Sequence, residues 1–189
     1  MYKAKYEHDD GIKSESSSKF IFNLFDWVND IIKYLIILGL IMTHLVFISF
    51  VNGESMAPTL HDGDVLLLSK FAPARKDIVV IHNPGQLNKR VIKRIIALEG
   101  ESISFDYQLG KVFINGILQR ENYINTKTNV KADWIIPETI PGGHVFVMGD
   151  NRNNSTDSRS RYVKFIDKRD ISGKVIFRIW PLNRIFSFI

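Results

Sequence analysis

The pattern of polar and apolar positions changes twice along the 189-residue chain. Residues 1–20, MYKAKYEHDDGIKSESSSKF, are polar and mixed in charge with a serine run, which predicts an unstructured tail. Between Phe20 and Asp30 apolar and acidic residues alternate, the pattern of a short interfacial helix. Residues 31–51, IIKYLIILGLIMTHLVFISFV, then form an apolar stretch whose single formal charge is Lys33. A run of about 20 such residues matches the hydrocarbon core of a bilayer as one spanning helix, and a lysine near its end can snorkel to the headgroups. Beyond residue 52 the texture turns to β. DVLLLSKF, DIVVIH, VIKRIIAL, ESISF, KVFING, HVFVMGD and ISGKVIFRIW are short runs rich in Val, Ile and Phe, separated by Gly, Pro, Asn and Asp. Asn115 and Gly116 between KVFI and ILQR predict a two-residue hairpin. No helical period follows residue 60, and there is no internal repeat. The closing LNRIFSFI, residues 182–189, suits either the core or a membrane contact. The expected fold is mainly β: an antiparallel β-sheet domain over residues 52–189, one N-terminal transmembrane helix over 31–51, and a tail over 1–30.

Charge gives the anchor a direction. Lys13, Lys19 and Lys33 precede or begin the apolar run, and no lysine or arginine follows until Lys70. The positive-inside rule then places the tail in the cytoplasm and residues 52–189 outside. A cleavable signal peptide is the other use of such a segment. Against it stand the roughly thirty polar residues that precede the run and the absence of a small-x-small exit in NGES. The net charge of +5 suits contact with a lipid bilayer bearing anionic headgroups. Nucleic-acid binding would need a recognition helix, zinc spacing or a stacking platform, and none is present. With no cysteine there is neither a disulfide framework nor a thiol nucleophile, and no HExxH or other ligand spacing points to a metal.

Chemistry concentrates in few places. NGESMAPTL, residues 52–60, reads either as the turn where a membrane segment ends or as a turn presenting Ser55 as a nucleophile. A serine needs a base to take its proton. His61, six residues on, could be that base or a surface residue. Lys93 is the other option. Strand alternation puts it on one face with Val91, Ile95 and Ala97, opposite Ile92, Arg94 and Ile96. Its stem can lie along the sheet with the amine in water. Alternatively the amine is dry, its pKa is lowered, and it accepts a proton from a serine. Composition alone makes NRNNSTDSR a polar surface loop.

Four blocks in order, GESMAPTL at 53–60, GDVLLLSK at 63–70, VIKRIIALEGE at 91–101 and MGDNRNNSTDSR at 148–159, resemble the type I signal peptidases, membrane-anchored serine proteases of the export pathway. The resemblance implies that Ser55 is the nucleophile and Lys93 the general base. It makes Ser155 a hydrogen-bond partner that orients Lys93, Asp157 and Arg159 a structural ion pair under the site, and Asp150 a further support. The backbone N–H of Ser55 supplies one oxyanion donor. Gly53 stands where some members carry a serine hydroxyl, as in the Gram-positive version of the family, so the second donor near Gly53 is unassigned. Glu54 is expected to point away, and Met56 and Ala57 to join a lipid-facing patch. Leu98 and Glu99 replace the glycine and proline of the family pattern. No cofactor and no metal are implied. The implied partners are pre-proteins with signal peptides emerging from the export machinery, cut after small-x-small sites such as Ala-x-Ala. The alternatives are serine–lysine proteolysis of another substrate, as in self-cleaving repressors, and a non-enzymatic membrane-anchored peptide-binding domain.

Overall fold

The computed structural model describes residues 9–184. The chain divides into two units after His44. The described part of the first is helix α1, Asp9–Leu45, of 37 residues, whose last residue falls in the second unit. The helix replaces the unstructured chain expected over residues 9–19 and contains the short helix expected between Phe20 and Asp30. No proline occurs before Pro58 to interrupt it, and the acids at positions 9 and 10 stand where a helix dipole favours negative charge.

The apolar run is not helical throughout, which corrects the anchor boundaries of 31–51. Its last part becomes strand β1, Val46–Phe50, paired residue for residue with β2, Val65–Ser69. VFISF is β-branched and aromatic, and pairing satisfies its backbone along a whole edge of β2. The helical share, residues 31–45, spans about 22 Å at roughly 1.5 Å per residue, less than the ~30 Å of a hydrocarbon core. Among the described residues no helix is long and apolar enough to cross a membrane.

The second unit is antiparallel β, as expected. After β2 come β3 Ile78–Ile81, β4 Val91–Ala97, β5 Ile103–Asp106, β6 Lys111–Ile114, β7 Ile117–Leu118, β8 His144–Met148, β9 Ile166–Asp167 and β10 Ile171–Trp180. The order β1-β2-β10-β3-β4-β8-β9 makes one sheet, and β5-β6-β7 a smaller one. Asn115 and Gly116 both have positive φ in the tight turn between β6 and β7, the conformation that Asn-Gly hairpins supply. Three apolar clusters fill the unit. One joins Val51, Met56 and Leu60 to Leu66, Leu68, Ile78 and Val80. Met56 is therefore core, not part of a lipid-facing patch. A second packs Phe146 and Met148 with Ile96, Ile103 and Ile114. The third sets Val79, Ile81 and Ile95 against Val145, Val147 and Ile166. Residues 185–189, most of the closing apolar segment, lie outside the described residues.

Candidate active site

The 53–60 turn is fastened from both ends. Gly53 takes a positive φ, and its N–H donates to Asp62 Oδ1 at 2.7 Å. Ala57 N–H reaches Glu54 O and Leu60 N–H reaches Met56 O. Met56 and Leu60 are fully buried, so the turn is plugged into the core on either side of the residues it exposes. Ser55 sits one residue before the first plug. Its carbonyl accepts from Asn151 N–H at 3.0 Å, and Asn151 Nδ2 donates to Glu54 O, also at 3.0 Å.

Across from it, β4 carries Lys93 with Val91 and Ile95 on its face and Val79 beside it on β3. Lys93 is 4% exposed, and its Nζ lies 2.7 Å from Ser55 Oγ and 3.0 Å from Ile92 O. Burial lowers the pKa of this amine to about 8. Asp157 and Asp150 oppose that shift, while Lys89 and Arg159 reinforce it. The stem-on-the-sheet reading fails because the amine does not reach water freely. His61 pairs instead with Glu54, its Nδ1 3.4 Å from the carboxylate.

The block at 148–159 braces both halves. Asp150 accepts from Arg94 Nε and Nη2 at 2.9 and 2.6 Å, and from Thr59 Oγ1 at 2.5 Å. It thus ties the serine turn to the residue next to Lys93. Asp157 and Arg159 form a bidentate buried pair at 2.8–2.9 Å, and Asp157 also accepts from Gly149 N–H. Arg159 reaches on to the carbonyl of Arg152. Gly149 admits no side chain, because a Cβ there would lie 2.3 Å from Ser155 Oγ and 2.4 Å from Ser55 O.

Ser155 is the exception to the expected set. It lines the same cleft, but its Oγ is buried without a hydrogen-bond partner among the described residues. The Lys93 amine is directed to Ser55 and to the carbonyl of Ile92, so the expected Ser155–Lys93 hydrogen bond is not formed. The Gly53 N–H is taken by Asp62 and is excluded as the second oxyanion donor, whereas Ser55 N–H has no acceptor among the described residues. Glu54 helps to line the cleft, and its carboxylate turns to His61 and to Asp62 N–H.

Sequence reasoning missed Arg94 and Arg152. Arg152 is fully buried, donates to Glu121 at 2.5 and 2.8 Å and to Thr128, and shares the ring of Tyr123 with Arg94. Arginines in adjacent-to-lysine and loop positions look solvated until their side-chain partners, 24 to 56 residues away in sequence, are brought against them. Among the described residues no group of His, Asp and Glu is arranged to hold a metal ion. The cleft has a volume of about 740 Å³ and runs from β1 and the serine turn to β4 and residues 154–156.

Comparison with known proteins agrees with these blocks. The profile of the family described as signal peptidase, peptidase S26, matches residues 24–180. Signal peptidase I of Leptolyngbya laminosa is 37% identical over 158 residues, covering 77% of this chain and 74% of its own. Signal peptidase I P of Bacillus subtilis subsp. natto is 35% identical over 176 residues, covering 86% and 92%. The mitochondrial ATP-independent inner membrane protease subunit 1b of Arabidopsis thaliana is 36% identical over 146 residues, covering 74% and 73%. A crystal structure of a signal peptidase I from Enterococcus faecalis V583 superposes with a TM-score of 0.45 at 32% identity, over 54% of this chain and 95% of that one. A profile that spans the serine turn, the lysine strand and the bracing block alike means that this chain belongs to the signal peptidase family, peptidase S26, a family of serine endopeptidases.

Proposed function

We propose that the protein removes N-terminal signal peptides from exported pre-proteins, cutting after small-x-small sites, with Ser55 as nucleophile and Lys93 as general base. The observation that carries this reading is the 2.7 Å approach of a buried, pKa-lowered amine to a serine hydroxyl. Neutral Lys93 takes the Ser55 proton as Oγ attacks the scissile carbonyl. The free Ser55 N–H receives the developing oxyanion. Collapse breaks the C–N bond, the Lys93 ammonium returns its proton to the leaving amine, and the signal peptide stays as an ester on Ser55. Lys93 next deprotonates a water that attacks this ester, and Ser55 regains its proton. Asp150, Asp157 and Arg159 hold the parts in place, and Ser155 walls the cleft beside them.

An extended substrate has somewhere to pair. β4 bonds β3 along Val91 to Arg94, but its pairing with β8 begins only at Arg94. The other edge of residues 91–93 is open to the cleft, which suits addition of a peptide strand with alternate side chains in shallow pockets.

The membrane part of the proposal rests on apolar surface. Residues 31–45 are exposed apolar helix for the most part, and the sheet adds cross-strand rows of Ile48, Leu67 and Phe177, and of Phe50, Val65 and Trp180. Ile48, Phe50, Phe177 and Trp180 are exposed, a contiguous apolar face of the kind that marks an interaction surface. We read α1, with the helical part of the apolar stretch at residues 31–45, as a single-pass anchor with its N-terminus in the cytoplasm, and this face as lying against the outer leaflet. Since the chain has no cysteine, Ser17→Cys and Arg120→Cys can be labelled singly in whole cells with an impermeant maleimide. Position 120 is expected to react in intact cells and position 17 only after lysis; the reverse would invert the topology.

Cleavage of a pre-protein bearing an Ala-x-Ala site by detergent-solubilised enzyme tests the activity, beside S55A and K93A. Equal cleavage by all three, or by none, would remove the mechanism. The pH profile tests the base. Only neutral Lys93 can accept the proton, so kcat/KM is expected to fall tenfold per pH unit below about 8 and to level off above it. A profile flat from pH 6 to 9, an interval that contains the value of about 8, would rule out an amine base of this proton affinity.

A further inference from the structure

The cleft carries an excess of positive charge that the peptidase chemistry does not use. Its charged lining residues are Glu54, Lys89, Arg90 and Lys93. Lys93 is buried against Ser55, and the Glu54 carboxylate is engaged by His61 and Asp62. Lys89 and Arg90 are exposed, and neither has an acidic or hydrogen-bonding side-chain partner among the described residues. Their backbone is nonetheless held. Leu87 N–H bonds Pro84 O, Lys89 N–H bonds Leu87 O, and Gln86 N–H bonds Tyr162 O across to the loop before β9. The loop between β3 and β4 therefore presents two cations at the mouth of the cleft, immediately before the open edge of residues 91–93.

An extended peptide advances about 3.3 Å per residue. One that pairs with residues 91–93 and offers its scissile carbonyl to Ser55 brings a side chain about three to five residues from the cut past Lys89 and Arg90. We propose that Lys89 and Arg90 are specificity-determining residues, favouring substrates with an Asp or Glu at that distance from the scissile bond. The proposal rests on the Ser55–Lys93 peptidase reading. Anionic headgroups are the other chemistry that would meet two cations. Their place in the lining shared with Ser55 and Lys93, directly before the open strand edge of residues 91–93, favours the peptide. Lys89 also contributes to keeping the Lys93 proton affinity low. Loss of that effect would shift the pH profile of every substrate alike, whereas recognition changes the ratio between substrates.

The test uses full-length enzyme in detergent and two sets of matched Ala-x-Ala peptides. Each set carries Glu, Gln or Lys at the fourth position, before the cut in one and after it in the other. In at least one set the parent enzyme is expected to prefer Glu over Gln by roughly three- to fivefold in kcat/KM, and the preference should shrink at high salt. K89Q/R90Q should remove the preference, and K89E/R90E should turn it toward Lys. Cleavage of all peptides by the parent with no preference in either set overturns the proposal while leaving the peptidase reading intact. Cleavage of none overturns that reading instead. A parent preference that survives in K89Q/R90Q also overturns the proposal. So does a variant whose only change is weaker binding to phosphatidylglycerol vesicles than to phosphatidylcholine ones, which would assign the pair to lipid.

Discussion

Lys93→Met is expected to abolish cleavage and to raise the melting temperature. A serine and its base act as a unit, so removing either costs on the order of 10⁴- to 10⁶-fold in kcat. The stability gain has a separate origin. In the unfolded chain the amine keeps its ordinary pKa of 10.5, whereas in the folded state burial lowers it to about 8. Between those values the unfolded chain binds more protons, so the contribution of this residue to stability rises with pH from about 8 to 10.5. Below pH 8 the folded state holds a charged amine that burial opposes, a cost of up to about 3 kcal/mol. Methionine matches the shape of the stem and carries no charge. The gain should therefore be largest below pH 8 and fade toward pH 10.5, as thermal melts at several pH values would read. An inactive variant that is also less stable at pH 7 would argue that Lys93 is not desolvated as described. One that cleaves at a tenth of the parental rate would remove it from the mechanism.

Asp150→Ala should be the most damaging substitution outside the dyad. The carboxylate is fully buried and holds Arg94 through two hydrogen bonds and Thr59 through a third. Its removal strands a buried guanidinium, which typically costs about 3–5 kcal/mol. It also releases Thr59, and with it the turn that carries Ser55. Urea unfolding should show the stability loss, and kcat should drop with it. A double-mutant cycle with Arg94→Met separates the pair from its parts. Asp150→Ala is expected to cost much less when residue 94 is already apolar. Additive losses would mean that the two side chains do not act as a pair.

Much of the β unit was legible in the chain. Short Val- and Ile-rich runs between turn residues locate β2, β3, β4, β5, β6, β8 and β10 to within about two residues, because strand pairing and burial are written locally in the alternation. The Asn-Gly turn was equally readable, since only residues tolerant of positive φ fit it. β1 was not. VFISF continues an apolar helix without a break, and nothing local distinguishes a buried helical turn from an edge strand. It becomes a strand because β2 offers it a partner 19 residues away. The unstructured-tail reading failed over residues 9–19 for a related reason, whereas the helix expected between Phe20 and Asp30 is present as part of α1. Polar composition lowers the drive to pack, but it does not prevent a helix.

By itself the sequence determined the chemistry available: Ser55 in a tight turn, Lys93 on an apolar strand face, an acidic and basic block at 148–159, and no thiol. It left open whether the lysine is dry. That depends on β3, the serine turn and the bracing block closing around the amine, and those segments are separated by tens of residues. The tertiary structure decided that Lys93 meets Ser55 at 2.7 Å, and that Ser155 does not bond it. It also decided that Arg94 and Arg152 are buried supports and not surface charges. Proton affinity and partnership are set by what surrounds a group in space, and neighbours along the chain record only a small part of that.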